Sequence, residues 1–362
     1  MKNAKLIFTL FVFALSAQLF ALPRFATKLG DKCSDCHVNP TGGGMLSEDG
    51  WYFAKNVLGA RSSREFDSPP KLNKSIQFGL DFRSQFLYSE ELKRSDFQNM
   101  SASLYSSIQI SEEIVVSARY DYLQRIWEGY GIVNFFNKSG YVKAGAFTPN
   151  FGIRIDDHTA YTRGGDNFVT ATVGVSRGNL YSPSYTETGV ELGYSLDKLL
   201  FVTFSAAKSN FNRTLASDPT YTSRVEVRPT IGDANLVIGA SGAMVKLPAS
   251  AKIYGFFGGI GFGEFSLLAE YDKAENYLTA DAQSVLAMTE VAYRFMLGGE
   301  AVVRYDYIDP NASIDKDQIS RLIVGFEFMP YSFVEIRPQY RFQLEDATLP
   351  NNSLVVQLHL FY

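Results

Sequence analysis

From Ser75 to the last residue, apolar and polar positions alternate with a period of two, stretch after stretch. An early run places Ile76, Phe78, Leu80 and Phe82 on one face and Gln77, Asp81, Arg83 and Gln85 on the other. Near the C-terminus Val334, Ile336, Tyr340, Phe342 and Leu344 alternate with Glu335, Arg337, Gln339, Arg341 and Gln343. A soluble sandwich shares this two-faced pattern. The runs are nonetheless longer than the usual soluble strand of about 5–6 residues. They match the roughly 9–11 residues that cross a membrane when tilted, and charge on the second face suits a wet lumen.

Turn signals divide these runs. Tight turns are expected near Ser111-Glu112, Asn137-Lys138, Asp197-Lys198, Gly232-Asp233, Gly261 to Gly263, Gly298-Gly299 and Pro330-Tyr331. Longer connections are expected around 89–99, 124–126, 149–184, 210–222, 246–249, 275–283, 309–318 and 345–351. Short turns at one end and longer loops at the other are the pattern of an outer-membrane barrel. The prediction is an all-β, transmembrane antiparallel β-barrel of about 16 strands over 73–362. Its final run should point Leu354, Val356, Leu358, Leu360 and Tyr362 outward, ending on a terminal aromatic like that of bacterial outer-membrane proteins. The connection from Thr148 to about Tyr185 is the longest, and loops of that size usually have a function. It carries Arg154, Asp156, Asp157, His158, Arg163, Asp166 and Arg177, and as the third external loop it is expected to fold inward and narrow the lumen. A solvated surface loop is the alternative.

The first residues break the pattern. Lys2 and Lys5 precede an apolar stretch, Leu6 to Leu15, and a small-residue site at Leu19-Phe20-Ala21, so 1–21 reads as a signal peptide. The stretch is shorter than the roughly 20 residues a membrane helix needs. Composition agrees with exported β-structure: 29 Phe, 21 Tyr and 29 Gly in 362 residues suit twisted strands. A net charge of −4 gives no reason to expect nucleic acid as a partner.

Between the signal and the barrel, 22–72 holds the chain's two cysteines, in Cys33-Ser34-Asp35-Cys36-His37. Cys-x-x-Cys-His is the attachment signature of c-type haem. Two thiols three positions apart reach two vinyl groups of one porphyrin edge, and the adjacent histidine falls under the iron. Cys33 and Cys36 are therefore expected to carry one covalent haem c through thioethers, with His37 as proximal iron ligand. The alternatives are a disulfide or a thioredoxin-like redox pair, which would need a βαβ setting that the flanks do not offer. The following Thr41-Gly42-Gly43-Gly44 run lets backbone lie close to a flat ring, or acts as a linker. Trp51, Tyr52, Phe53, Val57 and Leu58 can pack on the porphyrin, and Ser68-Pro69-Pro70 marks the boundary. So small a segment cannot bury much core alone and is expected to plug the barrel lumen.

The iron's other face has several candidates. The chain has three histidines, His37, His158 and His359. His158 would arrive on the infolded loop, and His359 points inward three residues from the chain's end. Met45, or no protein ligand at all, completes the set.

The haem segment, from Pro23-Arg24-Phe25-Ala26 through His37 and Pro40 to Gly50-Trp51-Tyr52-Phe53-Ala54-Lys55, resembles that of the fused monohaem cytochrome–porins of bacterial outer membranes, which include iron oxidases. The order of signal, single haem motif and barrel is also similar, while the Thr41 to Gly44 run departs from the iron-oxidase pattern. The resemblance implies an outer-membrane electron-transfer protein. Its haem would lie on the periplasmic side or in the lumen. It would take electrons from an external donor such as Fe(II) and pass them to a soluble periplasmic cytochrome. The other expectation is a diffusion porin with a structural or redox-sensing haem plug, and a third is a barrel that sheathes a multihaem partner.

Overall fold

The computed structural model describes residues 23–61, 68–153, 159–164, 178–209, 219–246, 250–277, 280–344 and 351–362. The expected signal peptide lies outside the described residues, as do Arg154, Asp156, Asp157, His158, Asp166 and Arg177.

Sixteen antiparallel strands and one two-residue fragment form a single closed sheet. In chain order these are β1 (Ile76–Ser89), β2 (Arg94–Gln109), β3 (Ile114–Asp121), β4 (Ile126–Phe135), β5 (Gly140–Phe147), β6 (Glu187–Leu196), β7 (Leu200–Ser209) and β8 (Thr220–Val227). The fragment β9 (Thr230–Ile231) follows, then β10 (Ala234–Lys246), β11 (Ser250–Phe262), β12 (Phe265–Glu275), β13 (Gln283–Met296), β14 (Gly299–Asp309), β15 (Ile319–Tyr331), β16 (Val334–Gln343) and β17 (Ser353–Phe361). β9 continues β8 along the same neighbour, β10. The interruption falls at Arg228-Pro229, where proline has no N–H to give the ladder. β1 pairs with both β2 and β17, so the ring closes without a free edge.

The barrel is inside-out relative to a soluble protein. On β14 the inward Glu300, Arg304 and Asp306 are buried while Val303 and Tyr305 are exposed. Asp306, Arg321 and Arg341 are 0% exposed, whereas Leu104 is 69% and Phe256 64% exposed. An apolar outer belt around a charged interior is the arrangement of a membrane barrel.

All seven expected tight turns are present at one end, with left-handed backbone at Asn137, Asp197, Gly232, Gly263 and Gly298. Two expectations change. The β1–β2 connection is only 90–93, because Arg94 already pairs with Ser89. Tyr362 also does not simply face outward. Its backbone pairs with Leu80, but its ring meets Trp51 of the N-terminal segment edge-on, with centroids 5.9 Å apart. The Phe333 ring, with its centroid 5.1 Å from that of Tyr362, adds to the same aromatic contact.

Candidate functional site

The N-terminal segment is built from short helical pieces. Helix Pro23–Leu29 leads to a single turn, Cys33–Cys36, closed by the His37 N–H donating to the Cys33 carbonyl at 3.0 Å. One helical turn sets two side chains on the same face, so both thiols can meet one edge of a planar group. The chain then reverses through Gly42, Gly43 and Gly44, all left-handed at φ +80°, +69° and +67°. A Cβ on Gly42 would lie 3.0 Å from the Cys33 Cβ. The reversal brings Leu46 opposite His37 and lets the Val38 N–H donate to the Met45 carbonyl at 3.1 Å. Ser47 caps helix Glu48–Phe53 by accepting from the Gly50 N–H, and Glu48 and Asp49 favour its positive end. That helix lies against the cysteine turn at Gly50, where a Cβ would stand 2.0 Å from the Cys36 carbonyl oxygen.

The segment docks inside the short-turn end of the barrel. Arg24, 4% exposed, pairs with Glu290 of β13 at 3.1 Å and Glu300 of β14 at 3.0 Å, and also with Glu327 of β15. Lys28 joins Glu300 at 2.8 Å. Burial pulls the Arg24 guanidinium downward, but the three carboxylates outweigh it and hold it raised. For Lys28 burial prevails over Glu300, and its ammonium is lowered. Lys198 pairs with Asp31, and Ser332 donates to the Lys55 carbonyl. Farther along, the Ala60 N–H donates to the Met329 carbonyl at 2.8 Å. Trp51, 1% exposed, stacks on Phe333 with centroids 5.5 Å apart. Such pairs add about 0.5–1.5 kcal/mol beyond area burial.

His37 faces a cavity that opens to solvent, with about 1180 Å³ of space counted together with its mouth. Phe25, Leu46, Leu58 and Met329 form its apolar wall. Met45, 5% exposed, also lines it. So does His359, which is clamped between Glu335 at Nδ1 and Asp81 at Nε2, each at 2.8 Å. His359 can bind a metal only by giving up one of these carboxylates. A second cavity opens to solvent at the short-turn mouth beside Cys33, Asp35 and His37.

The two cysteines are not joined in a disulfide. Burial pushes the Cys36 thiol up to about 12, aided by Asp35 and Asp31. The short helical pieces on either side, Pro23–Leu29 and Glu48–Phe53, do not give the pair the βαβ setting of a thioredoxin-like site. Two thiols on one turn, an adjacent imidazole reaching a cavity with one apolar wall, and a glycine reversal with no side chains fit a covalent haem.

The described parts of the long connection between β5 and β6 fold into the lumen, as its length suggested. Its described parts are buried: Phe151, Tyr161, Arg163, Tyr181 and Tyr185 are each 5% exposed or less. Arg163 pairs with Glu270 of β12 at 2.7 Å, Asn179 donates to Asp272 at 2.7 Å, and Phe151 stacks on Tyr181 at 4.5 Å. Arg304 and Arg321 donate to the hydroxyl and carbonyl of Thr159.

The structure thus brings His37, Met45 and His359 to one cavity, while His158 is outside the described residues. Sequence reasoning missed Arg24, Lys28 and their glutamates. The available signal was parity, since Glu290, Glu300 and Glu327 fall on inward positions of their strands.

No protein-family model and no curated protein matches the chain. Solved porins share its fold. OprB of Pseudomonas putida aligns with a TM-score of 0.58 at 10% identity, covering 80% of this chain and 95% of that one. An anion-selective porin from Comamonas acidovorans gives 0.55 at 10% identity, covering 80% and 99%. A loop-L8 deletion mutant of OmpT from Vibrio cholerae gives 0.53 at 12% identity, covering 80% and 99%. The chain has a porin-type barrel.

Proposed function

We propose that this porin-type barrel sits in a bacterial outer membrane and transfers electrons through one haem c held by Cys33, Cys36 and His37. The carrying observation is that the Cys-x-x-Cys-His segment is seated inside the short-turn end of the barrel, with His37 lining the lumen cavity. Bound there, the haem supplies a one-electron couple. The protein's part is to hold its two thioether positions on one helical turn, offer His37 to the iron, and keep bulk water from one face with Phe25, Leu46 and Met329. Met45, His158 and His359 would be the candidates to supply a further ligand to the iron, the alternative being that the protein supplies none. One haem cannot bridge a hydrocarbon core about 30 Å thick. The reading therefore places a soluble periplasmic cytochrome at the mouth cavity and an external donor, for which Fe(II) is the candidate, on the loop side. The lumen is shared by the segment and the infolded loop, which argues against a sheath for a multihaem partner.

The test uses full-length protein in proteoliposomes loaded with oxidised soluble cytochrome c. External ferrous salt should reduce the internal cytochrome, and Cys33→Ser/Cys36→Ser should abolish both covalent haem and this transfer. Wild-type protein without covalent haem would sink the proposal. A shift from low to high spin in His158→Ala, His359→Ala or Met45→Ala would identify the second axial ligand. The second reading, a diffusion porin with a haem plug, draws on the likeness to porins and on the open mouth cavity. It would win if haem were present, stayed oxidised in external Fe(II), and sugars entered the liposomes freely.

A further inference from the structure

Arg24 occupies a boundary between two spaces. On the lumen side lies the large cavity, to which Glu290 and Glu327 contribute. On the short-turn side lies a small cleft bordered by Arg294, Gly298, Glu300 and Glu327. Glu327 lines both, and Arg24 pairs with it and with a carboxylate on each side. Lys28 adds an ammonium on Glu300 at 2.8 Å. Both cations come from the segment, and all three carboxylates come from the wall of the barrel. Farther into the cavity Asp81 and Glu335 continue the acidic line, balanced by Arg83, Arg337 and His359.

Removing Arg24 and Lys28 would take from Glu290 and Glu300 the cations paired to them and leave Glu327 with Arg337, 3.6 Å away, between two spaces that share Glu327. Water and mobile cations would then be the cheapest way to solvate that charge. Rings of acidic side chains select cations in channels. We propose that Arg24 and Lys28 are tethered cations that close a cation-selective path along Glu290, Glu300 and Glu327, an autoinhibitory contact built into the docked segment. The inference rests on the plugged-barrel part of the reading above and is independent of the haem. Haem absorbance of the same samples reports on that other claim separately.

The experiment is planar-bilayer conductance of the full-length protein under a potassium chloride gradient. Arg24→Ala/Lys28→Ala should raise conductance several-fold over wild type and move the reversal potential to the cation side. Arg24→Lys/Lys28→Arg should stay near wild type, because cations still fill the site. Adding Glu290→Gln, Glu300→Gln and Glu327→Gln to the alanine pair should keep the conductance and return the reversal potential toward zero. An alanine pair that conducts like wild type, or without preference for cations, overturns the proposal. If that pair does not insert, Lys28→Ala alone decides, with a smaller rise of the same sign expected and an unchanged conductance overturning it.

Discussion

At Gly50 the absence of one methyl group lets helix Glu48–Phe53 rest on the cysteine turn. A Cβ there would stand 2.0 Å from the Cys36 carbonyl, and that neighbour is backbone, which cannot swing aside. Gly50→Ala should therefore lower covalent haem per barrel, read as Soret absorbance against protein, while the barrel still folds. Undiminished haem would mean that the two helices separate without affecting attachment. At this scale the sequence was most informative where chemistry is local. Cys33, Cys36 and His37 fall within five positions, and their spacing alone carries their expected role. Arg24 was silent, because its partners Glu290 and Glu327 are 266 and 303 residues away. His359 was readable as inward by parity. Its contact with Asp81 was not, because β1 becomes a neighbour of β17 only when the ring closes, whereas Glu335 lies opposite it in the β16–β17 hairpin.

Among elements, the loop between β5 and β6 depends most on a few buried contacts. Arg163 is 2% exposed and pairs with Glu270, which is 3% exposed. Breaking a buried pair from one side typically costs about 3–5 kcal/mol, because the remaining charge stays buried. Arg163→Met should loosen the loop from β12, lower the heat-dissociation temperature seen by gel mobility, and increase conductance through the lumen. A variant with unchanged mobility and conductance would show that Phe151, Tyr181 and Asn179 hold the loop without it. The loop's length and place as the third external connection were visible beforehand, and so was its inward fold. Which strands it would meet was not visible, since Glu270 and Asp272 look like any other inward carboxylates until the loop crosses the lumen.

For the molecule as a whole, the outer belt is the decisive surface. Phe256, 64% exposed on β11, alternates with the buried Phe257. If that belt faces lipid, Phe256→Arg should destabilise the barrel by about 2–4 kcal/mol near the bilayer midplane. Urea titration of folding into liposomes would measure it, and a cost near zero would place this face outside the hydrocarbon. The sequence by itself determined strand number, the sorting of short turns from long loops, and which face of each strand is charged. Those properties follow from a period of two and from turn residues, both of which act over a few positions. It also carries the Cys-x-x-Cys-His pattern, whose residues lie within five positions. The tertiary structure decided what closure brings together: the segment held by three glutamates from three strands, the Tyr362 ring turned onto Trp51, His359 held between carboxylates, and one cavity shared by His37 and Met45. These contacts join residues distant in sequence, and such pairings exist only once the ring is closed and the segment is docked within it.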